Sequence, residues 1–586
     1  MRKSITLMVI MVIMLTAAAC GDGGKFKNAD RNLTNFQFTL ASLSATDNIG
    51  RTLSPVNGFK LDRQRYVGIF YSLWLGQHVQ QQKDIYDISK LLEENPEALW
   101  DENGNPLSPL EEFHFCGEPL YGYYSMTDPW VVSRHVELLT LCGIDYLMID
   151  ATNTVIYPSS AKVLFETLVK YQDQGFNVPK VVFYTNTSSG STVKKLYDTY
   201  YVSGEYEKIW FKPKGKPAIV GITEKNNGST DQTNPDLVSQ AMKTYFDVYE
   251  SQWPNRPFNE LGWPWMSWDY PQFVHEEGRI NVSVAQHSPL TAKFSEEHPV
   301  SSRGYNHITK KIEENWMAGA NFQTQWQSVF DYEEAGYVEI NNVLVTSFNE
   351  WMAIKYAAQY PGYNNQRTFF VDVFNYEYSR DIEMAKGAYG DNFLMQLAQN
   401  VKKYKFDKAY DRYNWGKHDI NIDDLSTWDG VKLKYLDFNG DAMERNHRNA
   451  ANTATYIDKS NRNDIVSVQA TNDGSNLYFL IKTADDITEY NGTDLNWMNI
   501  LIKTRAGGES FSGYQYIINR SPKTNGKTSI EKSVGGYDFT NIGEADYRVN
   551  GSSMAVKIPF ASLGLTKDDF YIEFKVADNV TNPHDI

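Results

Sequence analysis

The residues best suited to chemistry are Asn349, Glu350 and Trp351, which end the segment VLVTSFNEW. The apolar residues before them predict a buried strand. A strand that is apolar along its length and polar at its carboxyl end is typical of a parallel barrel or an α/β sheet at its functional face. A carboxylate, an amide and a flat indole are groups that can bind a sugar ring. The alternative is a helix cap followed by a core tryptophan.

A second carboxyl group is needed if this chemistry is glycoside hydrolysis. Two carboxyls flank the bond, and burial or a neighbouring negative charge keeps one of them protonated. Glu350 is the first candidate, because the strand and Trp351 would shield it from water. Asp150, at the end of DYLMID, is the second catalytic candidate. Its alternative role is to orient a neighbouring side chain.

Other carboxyl groups are ranked behind these two. Asp269, which lies between Trp268 and Tyr270, and Glu118 are reserves that could also bind substrate. Asp372 and Glu377 follow an apolar stretch as well, but the segment SRDIE nearby predicts structural ion pairs, so both are left out.

Rings and hydrogen-bonding groups predict where a sugar would bind. Histidines can contact sugar hydroxyls, although a histidine at a strand end is as readily a structural hydrogen-bonder. Trp263 and Trp265 are predicted to be core residues. The predicted substrate-binding residues are Trp74, His114, Glu118, Trp268, Asp269, His287, Asn349 and Trp351.

The motifs of several other chemistries are missing from the sequence. It contains no His-Glu-x-x-His motif, no paired-cysteine metal motif, no glycine-rich phosphate loop and no nucleophile elbow. We therefore expect neither a metal nor an organic cofactor.

Apolar strands and helices alternate over residues 61–404, which predicts a (β/α)8 barrel. Helices are predicted near residues 128–143, 161–174, 193–202, 235–249, 308–319, 323–335 and 391–404. A doubly wound sheet is the alternative, but polar residues after successive strands favour the barrel, whose strand ends all meet at one face. Residues 405–429 are a predicted linker, and the short alternating strands of residues 430–586 predict an all-β sandwich.

The amino terminus predicts export. Arg2 and Lys3 precede an apolar run and three alanines, which is typical of a signal peptide over residues 1–19. Cys20 follows at once, as in a bacterial lipoprotein, so we expect lipidation there and anchoring to the bacterial envelope at the outer membrane. Residues 20–60 are a predicted tether and lead-in, of which GDGGKFKNADRN after Cys20 is typical of a flexible tether. An ordinary secretory signal is the alternative.

Composition restricts the partners of the protein. The 586 residues are enough for two or three domains, and the formal net charge of −16 argues against nucleic acid. Aromatic residues make up 14% of the chain, which suits stacking on carbohydrate. Besides Cys20 there are only Cys116 and Cys142, which could form a disulfide, although Cys142 fits a buried thiol better.

Several of these stretches resemble one group of enzymes. FYSLW on the first strand and SFNEW on the last resemble glycoside hydrolase families 71 and 99, and GEPLYGYY, DPWVVSRH and FNYEYSRDIE resemble exported relatives of that group. The resemblance covers about residues 65–404 and implies a (β/α)8 glycoside hydrolase with a role for Glu350. Family 99 has a second glutamate three residues later, where this chain has Ala353, so its mechanism and specificity are not carried over.

The final domain and the overall function follow from the same comparison. RNDIV, LYFLIKT and EFKVADN resemble β-sandwich modules related to carbohydrate-binding family 9. The sequence therefore predicts a lipid-anchored glycoside hydrolase in polysaccharide degradation. A non-catalytic glycan-binding lipoprotein on the same barrel and an enzyme of surface-polysaccharide assembly are the alternatives.

Overall fold

A parallel barrel forms the first large unit of the protein. This computed structural model describes residues 35–56, 60, 62–78, 82–287, 298–336, 338–359, 367–406 and 416–580. The barrel strands are β1 Tyr66–Tyr71, β2 Tyr146–Ala151, β3 Lys180–Thr185, β4 Ala218–Gly221, β5 Asp247–Gln252, β6 Gly262–Pro264, β7 Arg279–Ser283 and β8 Asn342–Thr346. Each strand pairs in parallel with the next one along the chain from β1 to β6, and β8 lies between β7 and β1. The predicted (β/α)8 architecture is confirmed.

Side chains connect the two end strands of this sheet, β6 and β7. Nη2 of Arg279 donates a hydrogen bond to the carbonyl oxygen of Leu261 at 3.1 Å. Nδ2 of Asn281 donates to the carbonyl oxygen of Trp265 at 3.0 Å. The barrel is therefore nearly closed, and its strand ends form a single mouth.

The barrel interior is filled by large rings. Phe70, Tyr146, Met148 and Leu344 pack together inside, and residues of the opposite parity pack against the helices. Gly68 on β1 makes room for the neighbouring ring, because a Cβ atom there would lie 2.0 Å from the ring of Tyr146. A glycine is needed at this position for packing.

Replacing Gly68 by alanine is expected to destabilise the barrel. The added methyl group meets the Tyr146 ring in a closed interior, and overpacking of this kind costs about 1–3 kcal/mol of unfolding free energy. Urea denaturation would measure the loss. In a Tyr146→Leu background the ring is absent, so the same substitution should cost less. An equal cost in both backgrounds would contradict this explanation.

Helices cover the outside of the barrel. The longest are Pro129–Leu141, Pro158–Asp173, Ala320–Ala335 and Asn392–Lys405, and the shorter ones are Asn35–Ser42, Ile88–Glu94, Pro96–Trp100, Ser189–Leu196 and Gln240–Tyr245. Asp128 caps the first of them, since its side chain accepts a hydrogen bond from the backbone N–H of Trp130.

Two of the sequence predictions for this region were wrong. The helix predicted over residues 235–249 is only Gln240–Tyr245, and strand β5 follows at once, because parallel pairing with β4 overrides the local helical pattern. The helix predicted over residues 308–319 is a small hairpin instead. There, the side chain of Asn306 accepts hydrogen bonds from the backbone of Ile308 and Thr309 and turns the chain.

A second, antiparallel sheet forms the carboxyl-terminal domain. Its strands, in sheet order, are Lys434–Leu436, Ile465–Asn472, Asn476–Thr483, Ser553–Pro559, Asp538–Asn550, Lys527–Gly535, Tyr516–Ile518, Asn499–Thr504 and Ile572–Ala577. The sheet curls, so that Phe574 on the last strand contacts Tyr435 and Phe479 near the other edge, with ring centroids 5.1 and 4.9 Å apart. This fits the predicted β-sandwich.

Both cysteines within the described residues are buried free thiols. Burial raises the pKa of the Cys142 thiol to about 12. The thiol prediction for Cys142 is confirmed, and the disulfide alternative is not formed. Among the described residues, no helix is both long enough and apolar enough to cross a bilayer.

Candidate active site

The turn after β8 sends three consecutive side chains in three directions. Asn349 points back to the end of β1, where its Oδ1 accepts a hydrogen bond from the backbone N–H of Ser72 at 2.9 Å. Its Nδ2 donates to the carbonyl oxygen of Ser72 at 3.1 Å. The amide is fully buried and used by the backbone. The prediction that Asn349 binds a sugar is therefore not supported, and its role is to join β8 to β1.

Trp351 also points into the protein. It is fully buried, and its Nε1 donates to Oε2 of Glu383 at 2.5 Å. The hydroxyl of Tyr124 donates to the same oxygen at 2.6 Å, and Nε2 of His135 lies 2.9 Å from Oε1. Trp351 has no open face for a sugar and is the core tryptophan of the alternative interpretation. Its prediction as a stacking platform is corrected.

Glu350 meets a buried arginine. Nη2 of Arg380 donates to Oε2 of Glu350 at 2.5 Å, and Nη1 donates to the carbonyl oxygen of Asp372 at 2.7 Å. Nη1 also donates to Nε2 of His287 at 2.8 Å. The backbone N–H of Glu350 donates to Oδ1 of Asp381. One guanidinium thus organises several acidic groups around Glu350.

Burial and the charges of this cluster give its acids different pKa values. Burial raises the pKa of Glu350 to about 8, assisted by the nearby carboxylates and opposed by Arg380. Burial likewise raises the pKa of Asp381 to about 7. For Asp372, burial acts in the same direction, but His287 and Arg380 outweigh it and hold the pKa below its usual range. Glu350 is therefore protonated at neutral pH while Asp372 is ionised.

Asp150 lies at the mouth, as predicted. It has the same parity on β2 as Tyr146 and Met148, so its side chain points towards the barrel axis. Its Oδ1 accepts a hydrogen bond from the backbone N–H of Thr152 at 2.9 Å. Burial raises the pKa of Asp150, and its charge is close enough to raise the pKa of Glu350.

An aromatic wall stands beside Asp150. The ring of Trp74 lies 5.3 Å from Phe113, which stacks on His78 at 4.9 Å, and His78 contacts Tyr157 at 6.2 Å. Burial raises the pKa of Tyr157, and the charge of Asp150 adds to this effect. Trp74 is nearly buried.

The opposite rim contains Trp268, Asp269 and His287. The rings of Trp268 and His287 lie 6.3 Å apart, and His287 in turn contacts Arg380. Asp269 is exposed, and its backbone N–H donates to Oγ of Ser267 at 3.2 Å. The structure therefore brings these three predicted residues to the same side of the mouth as the Arg380 cluster.

Two predicted residues lie elsewhere. His114 is fully buried, with its ring nitrogens bonded to Ser108 and to the backbone of Glu112, and burial lowers its pKa to about 3. Glu118 accepts hydrogen bonds from Lys90 and Lys386 at 2.7 and 2.9 Å. Burial acts to raise the pKa of Glu118, but the two lysines outweigh it. Neither side chain is available at the mouth, so we do not retain them as substrate-binding residues.

The sequence interpretation missed the residues that surround Glu350. Asp372 is left out of the predicted site, and Arg380, Asp381 and Glu383 belong to SRDIE, for which the sequence predicts structural ion pairs. The resemblance of FNYEYSRDIE to a known group was the signal that could have singled them out.

The predicted lipidation site Cys20 lies outside the described residues, and within them no group of three or more His, Cys, Asp or Glu side chains is arranged to hold a metal ion.

The fold and the site define a (β/α)8 protein with acidic groups at its mouth. No protein-family model matches the chain, and no curated protein matches it. Among solved structures, the chain is similar to the family 99 endo-α-mannosidase of Bacteroides thetaiotaomicron, with 14% identity, a TM-score of 0.31, and coverage of 58% of this chain and 97% of that one.

Two further structures show weak similarity. A glycoside hydrolase-like protein is 13% identical with a TM-score of 0.31, covering 59% of this chain and 96% of that one. The α-L-fucosidase isoenzyme 1 of Paenibacillus thiaminolyticus is 10% identical with a TM-score of 0.21, covering 84% and 96%. These values are too low to assign an activity, and the barrel assignment stands on the strand order alone.

Proposed function

We propose that this protein is a glycoside hydrolase that acts on an extracellular polysaccharide or oligosaccharide. The observation that carries the proposal is that one buried arginine at the barrel mouth, Arg380, contacts Glu350 at 2.5 Å and lies 3.5 Å from Asp372. Burial raises the pKa of Glu350, whereas His287 and Arg380 hold that of Asp372 below its usual range. Glycoside hydrolysis requires two carboxyl groups whose environments give them different pKa values, so that one can donate a proton while the other is ionised.

In this proposal Glu350 is the general acid. It donates its proton to the glycosidic oxygen as the bond from that oxygen to the anomeric carbon breaks. Arg380, which contacts Oε2 of Glu350, stabilises the carboxylate that forms. Asp372 carries the negative charge that faces the developing oxocarbenium ion or takes a proton from water. Asp150 remains the alternative for this second role.

The location of the enzyme is part of the proposal. The signal-like residues 1–19 and Cys20 support export and a lipid anchor in the bacterial envelope. The surplus of negative charge supports a carbohydrate partner over nucleic acid. The β-sandwich would bind carbohydrate or support the barrel.

A second candidate function is glycan binding without catalysis. Ala353, at the position of the second glutamate of family 99, is buried in the strand Met352–Tyr356 and pairs with His114. Alanine supplies no carboxyl group at this position. The hydrogen bond between Glu350 and Arg380 is also compatible with a protein that only binds glycans. The two candidate functions therefore need a direct test.

The test is a screen for reducing-end release with the mature protein. The substrates should include α-mannans and α-glucans together with plant and host polysaccharides, and binding to each should be measured by calorimetry. Release of new reducing ends from any of them supports the hydrolase. Tight binding to a glycan with no release would support the second candidate and overturn the first.

The activity is expected to fall as the pH rises past about 8. Glu350 must carry a proton in order to donate it, and its pKa lies at about 8. On the acid side, activity should persist well below neutrality, because Asp372 stays ionised there. The profile of kcat/KM against pH reports these groups in the free enzyme. Circular dichroism over the same range serves as the control for unfolding, and activity that increases through pH 8 would contradict the assignment.

A further inference from the structure

A hairpin of the carboxyl-terminal domain packs on the barrel close to the site. It consists of the antiparallel strands Arg445–Arg448 and Thr455–Asp458, and it lies in the connection between the sandwich strands Lys434–Leu436 and Ile465–Asn472. Ala450, at its turn, is fully buried in the apolar core of the barrel. We call this element the docking hairpin. It is a built-in part of the barrel surface rather than a loose connection.

Arg445 fixes the base of the docking hairpin. Its Nε donates to Oδ2 of Asp128 at 2.8 Å, and its Nη1 donates to the carbonyl oxygen of Tyr121 at 3.0 Å. The guanidinium also lies over the rings of Trp130 and Tyr456, at 4.9 and 4.4 Å from their centroids. Both ends of the ion pair are buried. A buried pair with this many hydrogen bonds holds its two elements in one relative position.

The middle of the docking hairpin holds the barrel loop of residues 117–128. The backbone N–H of Ala450 donates to the carbonyl oxygen of Tyr123 at 2.8 Å, and the N–H of Tyr123 donates to the hydroxyl of Tyr456 at 2.8 Å. Gly122 has a φ of +76°, and a Cβ there would lie 2.5 Å from the Tyr456 ring. The ring and the loop are thus in close contact.

The same loop contacts the turn that carries Glu350. The hydroxyl of Tyr124 donates to Oε2 of Glu383, the oxygen that also accepts from Nε1 of Trp351. Nδ2 of Asn349 lies 3.4 Å from the sulfur of Met126. Through Tyr124 and Met126, the loop therefore supports both neighbours of Glu350.

We propose that Arg445 and Tyr456 of the docking hairpin are positioning residues for the candidate active site, acting through the loop of residues 117–128 on the turn that carries Glu350. The carboxyl-terminal domain then helps to position the turn that carries Glu350, whether or not this domain binds carbohydrate. The effect on catalysis rests on the proposed function, whereas the effect on the turn does not.

The test uses the full chain with Arg445→Met, which keeps an unbranched side chain beside the two rings but removes the charge and the hydrogen bonds. Hydrogen exchange by mass spectrometry should show exchange in residues 347–351 about fivefold faster or more, because local opening costs less once the support is lost. Peptides from β5, which lies elsewhere in the barrel, should be unchanged. The control is Arg548→Met, which breaks an exposed ion pair with Asp423 and should alter neither region.

Tyr456→Phe provides a second, milder variant in case Arg445→Met fails to fold. It removes only the hydroxyl that accepts from the N–H of Tyr123, so a smaller increase of exchange in the same residues is expected. Unchanged exchange in residues 347–351, or an equal increase in β5 that reports general loosening, would overturn the proposal.

Measurements of catalytic activity test the positioning role separately from hydrogen exchange. If the wild type releases reducing ends, Arg445→Met should lower kcat with little change of KM and should shift the alkaline limb of the pH profile. An unchanged kcat and limb would count against the proposal. If the wild type releases none, the proposed function fails, and the exchange experiment alone decides the positioning role.

Discussion

Replacing Glu350 by glutamine is expected to lower kcat/KM for glycan hydrolysis by about 100- to 10,000-fold, the range that one general acid contributes. Glutamine has nearly the same shape, and its oxygen can still accept the hydrogen bond from Arg380, which lies 2.5 Å from Oε2 in the wild type. What it lacks is the transferable proton. The fold and the affinity for glycan should therefore be retained while turnover is lost.

The matched control for this experiment is Glu250→Gln. Glu250 is also buried, and burial raises its pKa too, but it lies on β5 with the parity that faces away from the barrel interior. There it accepts a hydrogen bond from the backbone of Thr223 at 3.1 Å. This variant should keep nearly full activity. Turnover by Glu350→Gln within tenfold of the wild type would remove Glu350 from the acid role.

The barrel could be predicted from sequence because buried strands and amphipathic helices have different periods. The direction of each side chain in a turn has no such signal. Asn349, Glu350 and Trp351 are adjacent and all look functional, yet one binds the end of β1, one meets Arg380 and one enters the core. Only the path of the backbone after β8 separates these directions, and that path depends on contacts distant in sequence.

The segment that completes the site was harder to predict. Residues 371–391 contain no helix or strand, so periodicity says nothing about their burial. The charged residues of SRDIE predict ion pairs, but their types do not show that Arg380, Asp381 and Glu383 are all fully buried. They are buried because each has partners that come from other parts of the barrel, such as His287 for Arg380 and His135 for Glu383. A single sequence does not show such partners.

Replacing Arg380 by methionine is expected to destabilise the protein and to change its pH dependence. Removing one member of a buried ion pair typically costs about 3–5 kcal/mol, because the remaining charge has no partner. Arg380 is fully buried and contacts Glu350, so this range applies here. Urea denaturation at pH 9, where Glu350 is ionised because its pKa is about 8, would measure the loss. Arg548→Met, at an exposed pair, should change the unfolding free energy by less than about 1 kcal/mol.

The pH dependence of this loss identifies its cause. Without Arg380 the pKa of Glu350 should rise further above its ordinary value of 4.5, because Arg380 acts to lower it. A carboxyl group whose pKa is higher in the folded chain than in the unfolded chain weakens folding as the pH rises above the unfolded value. Because the pKa of Glu350 is already about 8 in the wild type, this difference develops only above pH 8, so Arg380→Met should lose less stability at pH 5 than at pH 9.

The double variant Arg380→Met, Glu350→Gln separates lost packing from unpaired charge. With the acid replaced by a neutral amide, the extra loss at pH 9 should be recovered, since position 350 then carries no charge that needs the guanidinium. Some loss should remain, because Asp372 also depends on Arg380. If the double variant is as unstable as Arg380→Met alone, the arginine contributes mainly through packing on Trp265. The charge pairing on which the proposed acid role of Glu350 depends would then be contradicted.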